Sequence, residues 1–149
     1  MWHRLKNLFL SVQTYNILSP DLVARRQVNQ ALSHRSAITQ EQWFREFCQP
    51  LEIDPSIAAF AYTRLQHYSG IKFAHVLPSD RLMEDLHWVE VCWADWETAF
   101  CEDFWQSFGV NISDPFLNYP LSTVGELVVF LNTQRLALTS TNGDSVNSK

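Results

Sequence analysis

The chain has 149 residues, 46% of them hydrophobic and 18% charged, with a formal net charge of -5. That is enough for one domain with a sizeable core, and it excludes wholesale disorder. No apolar run is long enough to span a bilayer, and only four Gly and six Pro argue against a turn-rich β-sandwich of many short strands.

The opening MWHRLKNLFLSV places Trp2, Leu5, Leu8, Phe9 and Val12 at helical spacing. Arg4 and Lys6 precede an apolar stretch that Ser11, Gln13 and Thr14 interrupt, and no small-residue cleavage site follows. A secretory signal is therefore not expected, and the chain reads as intracellular and cytoplasmic. Ser19-Pro20 looks like a cap followed by proline in the first helical turn, opening a helix to about His34 with Leu22, Val23, Val28, Ala31 and Leu32 inward. Thr39-x-x-Gln42 is a capping box before the aromatics Trp43, Phe44 and Phe47, and Pro50 is expected to end that helix. Asp54-Pro55 repeats the start signal for a stripe of Ile57, Ala58, Ala61, Leu65 and Tyr68, with Gly70 as the stop.

From Ile71 to Leu86 no period is sustained, which predicts a long ordered loop with Phe73, Val76 and Leu82 turned inward. Trp96, Phe100, Phe104 and Phe108 then form an i, i+4 ladder flanked by Trp93 and Cys101 and stopped by Gly109. Asp114-Pro115 predicts a short helix through Phe116 and Leu117, ended by Pro120. Thr123-x-x-Glu126 is a second capping box, before Leu127, Val128, Leu131 and Leu136. The polar stretch 139–149 reads as a disordered tail. The fold class is all-α, divided into an N-terminal helical extension (1–36), a helical domain (37–138) and that tail.

Charge is unevenly placed. Up to Ser36 five Lys and Arg face only Asp21, whereas from Asp80 to Asp114 nine acids stand against Arg81 alone. The two regions either neutralise each other, within the fold or between copies, or leave an acidic face for a partner. On a helix Asp95, Thr98 and Glu102 share one side, opposite the aromatic ladder. No EF-hand spacing accompanies them, so a solvated face is expected there instead of a metal site. Glu97 falls beside the aromatic stripe, as either a general acid or base or a boundary side chain reaching solvent.

The cysteines, Cys48, Cys92 and Cys101, are odd in number and match no zinc spacing. Cys92 and Cys101 fall on nearly opposite sides of a continuous helix, and buried inert thiols are expected. His67 and His75 read as structural. There is no nucleophile elbow, P-loop, dinucleotide fingerprint or HExxH. The aromatics are not interleaved with Lys or Arg as a single-strand binder requires. No nucleic acid, membrane, metal or cofactor is expected.

Three stretches between Asp54 and Leu138 resemble the acyl carrier protein superfamily. PSDRLMEDL is like its acidic loop before the second helix. FGVNISD, from Phe108 to Asp114, is similar to the end of that helix. STVGELVVFLN, from Ser122 to Asn132, is similar to the start of the last helix. The resemblance implies a four-helix bundle whose acidic second helix docks on basic patches of partner proteins. It also brings a departure. Carriers hold a phosphopantetheine arm on the Ser of an Asp-Ser-Leu motif at the start of the second helix, where counting gives Ala94 or Glu90. HWVEVCWADWE has no hydroxyl before Thr98, which is expected inside the helix. The local pattern is more similar to carrier-like bacterial proteins with acids in place of that Ser.

The implied function is a non-catalytic interaction module with Glu90, Asp95, Glu102 and Asp103 as partner contacts and Trp88 as an anchor. Trp88 has a second reading as a core residue closing the loop. The alternatives are a scaffold that self-associates through its basic first segment, and a small enzyme or genuine carrier with a displaced site.

Overall fold

A computed structural model of the chain describes residues 19–120 and 122–147, with side chains to residue 138. The helix expected near the start, with Trp2, Leu5 and Phe9, lies outside the described residues. The described elements are α1 (Leu22–Leu32), α2 (Gln40–Trp43), α3 (Pro55–Ser69), α4 (Trp88–Val91), α5 (Trp96–Phe108), α6 (Ser113–Asn118) and α7 (Val124–Asn147). A π-helical turn (Phe44–Cys48) and a 3₁₀ turn (Gln49–Leu51) continue α2, and a second 3₁₀ turn covers Phe73–His75. No strand occurs among the described residues beyond an isolated antiparallel bridge between Arg81 and Thr123. The all-α class therefore holds.

Most helix boundaries follow local chemistry. The Asp54 carboxylate accepts from Ser56 N at 2.8 Å, with Pro55 in the first turn of α3. Thr39 and Gln42 form a reciprocal capping box at α2, and Thr123 and Glu126 exchange the equivalent bonds at α7. Gly70 (φ 68°) and Gly109 (φ 70°) end α3 and α5 in the left-handed conformation that glycine adopts at least cost.

Some boundaries differ from expectation. The cap of α1 is Asp21, whose Oδ1 accepts from both Val23 N and Ala24 N; a carboxylate there also suits the positive end of the helix dipole. Leu22 and Val23 are consequently exposed, as is Ala31, while Val28 and Leu32 are buried one turn apart. Pro50 lies within the 3₁₀ turn, and the chain reverses only at Glu52, a non-glycine residue at φ 56°. Leu136 is exposed, and the backbone of α7 runs to Asn147, past the boundary expected at residue 138.

The expected second helix is in fact two. α4 ends at Val91, Cys92 takes an extended conformation, and α5 begins after Asp95. The ladder occupies α5 alone: Trp96, Phe100 and Phe104 are buried and Phe108 packs against the core. Phe60 of α3 meets Phe100, Phe104 and Phe108, with ring centroids 5.4 to 5.9 Å apart. Phe116 of α6 meets Trp96, Phe100 and Phe130. Such tilted and edge-on pairs add to the large apolar area these rings bury.

The long loop is ordered by its ends, and Phe73, Val76 and Leu82 are all buried. Trp43 Nε1 donates to Val76 O at 3.0 Å. The buried Asp80 carboxylate accepts from Arg35 at 2.7 and 2.9 Å and from Leu77 N. Gly125 N donates to Pro78 O at 2.9 Å. A Cβ on Gly125 would meet that carbonyl at 3.1 Å, so this close approach favours glycine.

Candidate functional site

The charged surface is built around α4, α5 and α6. Because the aromatic ladder fixes which side of α5 faces inward, Thr98 and Glu102 are exposed on the other side, with Asp95 at the helix start. Asp95 and Glu102 are seven positions apart, two helical turns, and share that side. Asp103 lies elsewhere. It faces α3, where Tyr68 Oη donates to its carboxylate and Arg64 Nη1 stands 3.8 Å away. Burial and this carboxylate push the Tyr68 phenol well above its ordinary value. Glu90 is exposed on α4 with its carboxylate 3.2 Å from His87 Nδ1, and its backbone carbonyl accepts from Asp21 N. The five expected contacts therefore do not form one patch.

Trp88 requires a correction. It is fully buried, its ring 5.7 Å from that of Trp96 and nearly perpendicular to it. It closes the loop over the core and is not a surface anchor. The most exposed aromatic in this region is Trp105, 58% accessible, which sequence reasoning missed. The signal was available: Trp105 is out of phase with the 96, 100, 104, 108 ladder, on the polar side of an amphipathic helix.

Trp105 borders a groove of about 340 Å³ between α5 and α6, whose other wall includes Phe116 and the 70%-exposed Leu117. Its ionisable lining residues are Glu97, Glu102 and Cys101, so at neutral pH its charge is negative. Glu97 is exposed to solvent, the boundary placement and not a desolvated one.

The thiols are poorly suited to nucleophilic work. Burial pushes Cys48 up to about 11 and Cys92 up to about 12, the latter against the opposing pull of Arg25. Cys101 is half-buried; desolvation raises it, Ser113 opposes that, and Glu97 adds to it. A protonated thiol is a weak nucleophile. His75 Nδ1 lies 2.9 Å from Arg35 O, and the His67 ring packs edge-on to that of Tyr68. No group of three His, Cys, Asp or Glu among the described residues is arranged to hold a metal ion.

The basic residues of the early segment divide. Arg35 pairs with Asp80, so part of the charge asymmetry is neutralised inside the fold. Arg25 spends its donors on helix ends: Nε donates to Val91 O at 2.7 Å and Nη2 to Tyr68 O at 3.2 Å. Arg4 and Lys6 lie outside the described residues. At the start of α5, Ala94 and Asp95 are followed by Trp96, Glu97 and Thr98. Because the helix begins later than expected, Thr98 sits in its first turn and is exposed. Among the described residues no helix is long and apolar enough to cross a membrane.

Comparison of the chain with protein-family models, with curated proteins and with solved structures finds no match.

Proposed function

We propose that the chain is a non-catalytic protein-protein interaction module of acyl-carrier-like design, which docks a basic patch of a protein partner through the outward side of α5. The observation that carries this reading is the pairing on that side of exposed carboxylates, Asp95 and Glu102, with a groove bordered by Trp105 and Leu117. Charge at the rim steers association, and a bulky aromatic supplies the buried area from which affinity comes. The succession of long helix, ordered loop, acidic helix, short helix and last helix supports the carrier-like reading. A cytoplasmic setting accords with three cysteines without a disulfide scaffold.

The test is charge reversal of Asp95→Lys and Glu102→Lys in the full chain, with circular dichroism as the fold control. The docking reading expects capture of the partner by the wild-type chain to weaken as salt rises, and to be lost in the double variant with its helicity intact. Equal capture by wild type and variant sinks it. A second reading, a genuine carrier with a displaced attachment site, has one observation in its favour: the exposed Thr98 hydroxyl in the first turn of α5.

A further inference from the structure

A groove of about 320 Å³ runs along α1. Ala24, Val28 and Ala31 line it from α1, at i, i+4 and i+7 on one side of the helix. Asp21, Asp85 and Glu90 line it with carboxylates, and His87 stands among them. At one end Asp21 N donates to Glu90 O. The residues next to these two, Leu22 and Val89, are 65% and 67% exposed. Another side of α1 is already engaged: Arg25 bonds to Val91 O and Tyr68 O, and Asn29 to Gly70 O. The groove side keeps Ala31 exposed and Ala24 half-buried.

The chain carries a segment whose pattern matches this side. Residues 1–18, outside the described part of the fold, lead through Ser19 and Pro20 into Asp21 at the groove's edge. They hold Leu5, Leu8 and Val12 at successive spacings of three and four. Ala31, Val28 and Ala24, taken backwards along α1, have the same two spacings in the same order. A helix antiparallel to α1 would set Leu5 over Ala31, Leu8 over Val28 and Val12 over Ala24 in a single register. The stretch from Tyr15 to Asp21 would serve as the connection, of ordinary length for neighbouring antiparallel helices. Charge agrees with this register. Residues 1–18 contain Arg4 and Lys6 and no acid, whereas the groove is negative even with Asp85 paired to Arg81.

We propose that residues 1–18 dock into this groove as an amphipathic helix, antiparallel to α1 in that register. The basic first segment then meets Asp21, Asp85 and Glu90 within one molecule. A segment tethered by a short connection faces its own groove at an effective concentration on the order of millimolar, which favours that groove over one on a second copy. The contact is distinct from the outward side of α5 and does not depend on docking there.

Hydrogen exchange and engineered disulfides in the full chain test this. Amides of residues 4–13 should exchange at least about tenfold more slowly than in an unstructured chain, at low and high protein concentration alike. Ala31→Arg, at an exposed position, sets bulk and like charge against Leu5, Arg4 and Lys6. It should abolish that protection and leave the protection of α3 and α5 intact. Leu5→Cys with Ala31→Cys should close a disulfide within one chain on mild oxidation, read by intact mass. Leu5→Cys with Ser33→Cys, turned about 200° away around the helix, should not. If Ala31→Arg also disturbs α3 and α5, the disulfide pairs decide. Wild-type amides 4–13 that exchange at the unstructured rate overturn the proposal. So does protection that Ala31→Arg leaves in place, which would put the segment elsewhere on the fold. Bridging or protection found only between chains also overturns it and makes the groove a contact between copies.

Discussion

Arg25 shows how much of this fold rests on single polar side chains. Its guanidinium reaches the last turn of α3 at Tyr68 O and the end of α4 at Val91 O, where a cation complements two helix dipoles at once. Burial lowers its basicity, and the guanidinium stays charged. It also packs so closely over Gly70 that a Cβ there would lie 2.9 Å from the guanidinium carbon. None of this was legible in the sequence, where Arg25 reads only as one of several basic residues, because a polar side chain's distant partner leaves no periodic trace. The same holds for Asn132, buried in α7, whose Oδ1 accepts from Asp54 N at 3.0 Å. Asp54 itself was legible, since a cap acts on its own neighbours. Hydrogen bonds from Ser56, with Arg135 alongside, hold its carboxyl below the usual carboxylate range. An acid with a depressed folded-state value stabilises the native state above its unfolded value of about 3.9, and that contribution is lost as pH falls through the folded value. Asp54→Ala should therefore cost about 1 kcal/mol at neutral pH. In urea denaturation the gap between variant and wild type should close below about pH 4; a gap constant with pH would contradict this assignment. The cysteines provide a second check. Cys48 and Cys92, buried and raised to about 11 and about 12, should resist a thiolate-directed alkylating reagent until the chain unfolds. Cys101, half-buried, should react first, and equal rates by peptide mapping would refute the burial pattern.

At the scale of elements, the sequence spoke clearly wherever a helix end carried its own chemistry. Asp54-Pro55, Thr39-x-x-Gln42, Thr123-x-x-Glu126, Gly70 and Gly109 all mark ends that the structure contains. It was silent at the break between α4 and α5. HWVEVCWADWE has neither Gly nor Pro to mark it. The break comes from tertiary packing: Trp88 and Val91 turn inward from α4, Cys92 is buried in extended backbone, and Trp96 turns inward again from α5. A continuous helix could not present Trp88 and Trp96 to each other edge-on at 5.7 Å, since eight positions carry one ring about 12 Å along the axis from the other. Without this break Thr98 falls inside a helix, and Trp88 reads either as an anchor or as a core residue. The two faces of α5 make opposite predictions. Phe104, fully buried among Phe60 and Phe108, should cost about 3–5 kcal/mol when replaced by Ala. Its neighbour Trp105, exposed at the groove, should cost no more than about 0.5 kcal/mol. Chemical denaturation of both variants compares them directly, and similar losses would mean that α5 is rotated from its described orientation.

For the molecule as a whole, part of the charge asymmetry of the sequence is met inside the fold. Asp80, Asp85 and Asp103 are engaged within the fold, by Arg35, by Arg81, and by Tyr68 and Arg64. Asp95 and Glu102 are exposed on the outward side of α5, and they carry the proposed docking face. Sequence reasoning could rank the acids by position along the chain but not find the partners of Asp80 and Asp103, because those depend on which part of the fold each residue meets. Under the proposed function a carrier-like order of helices is kept here for its surface and not for a phosphopantetheine arm. Intact-mass measurement after co-expression with a broad-specificity phosphopantetheinyl transferase tests it most directly, with a known carrier modified alongside as the positive control. The chain is expected to stay unmodified. A gain of one phosphopantetheine, mapped to Thr98 or to any other hydroxyl, would contradict it and make this a carrier of thioester-linked groups.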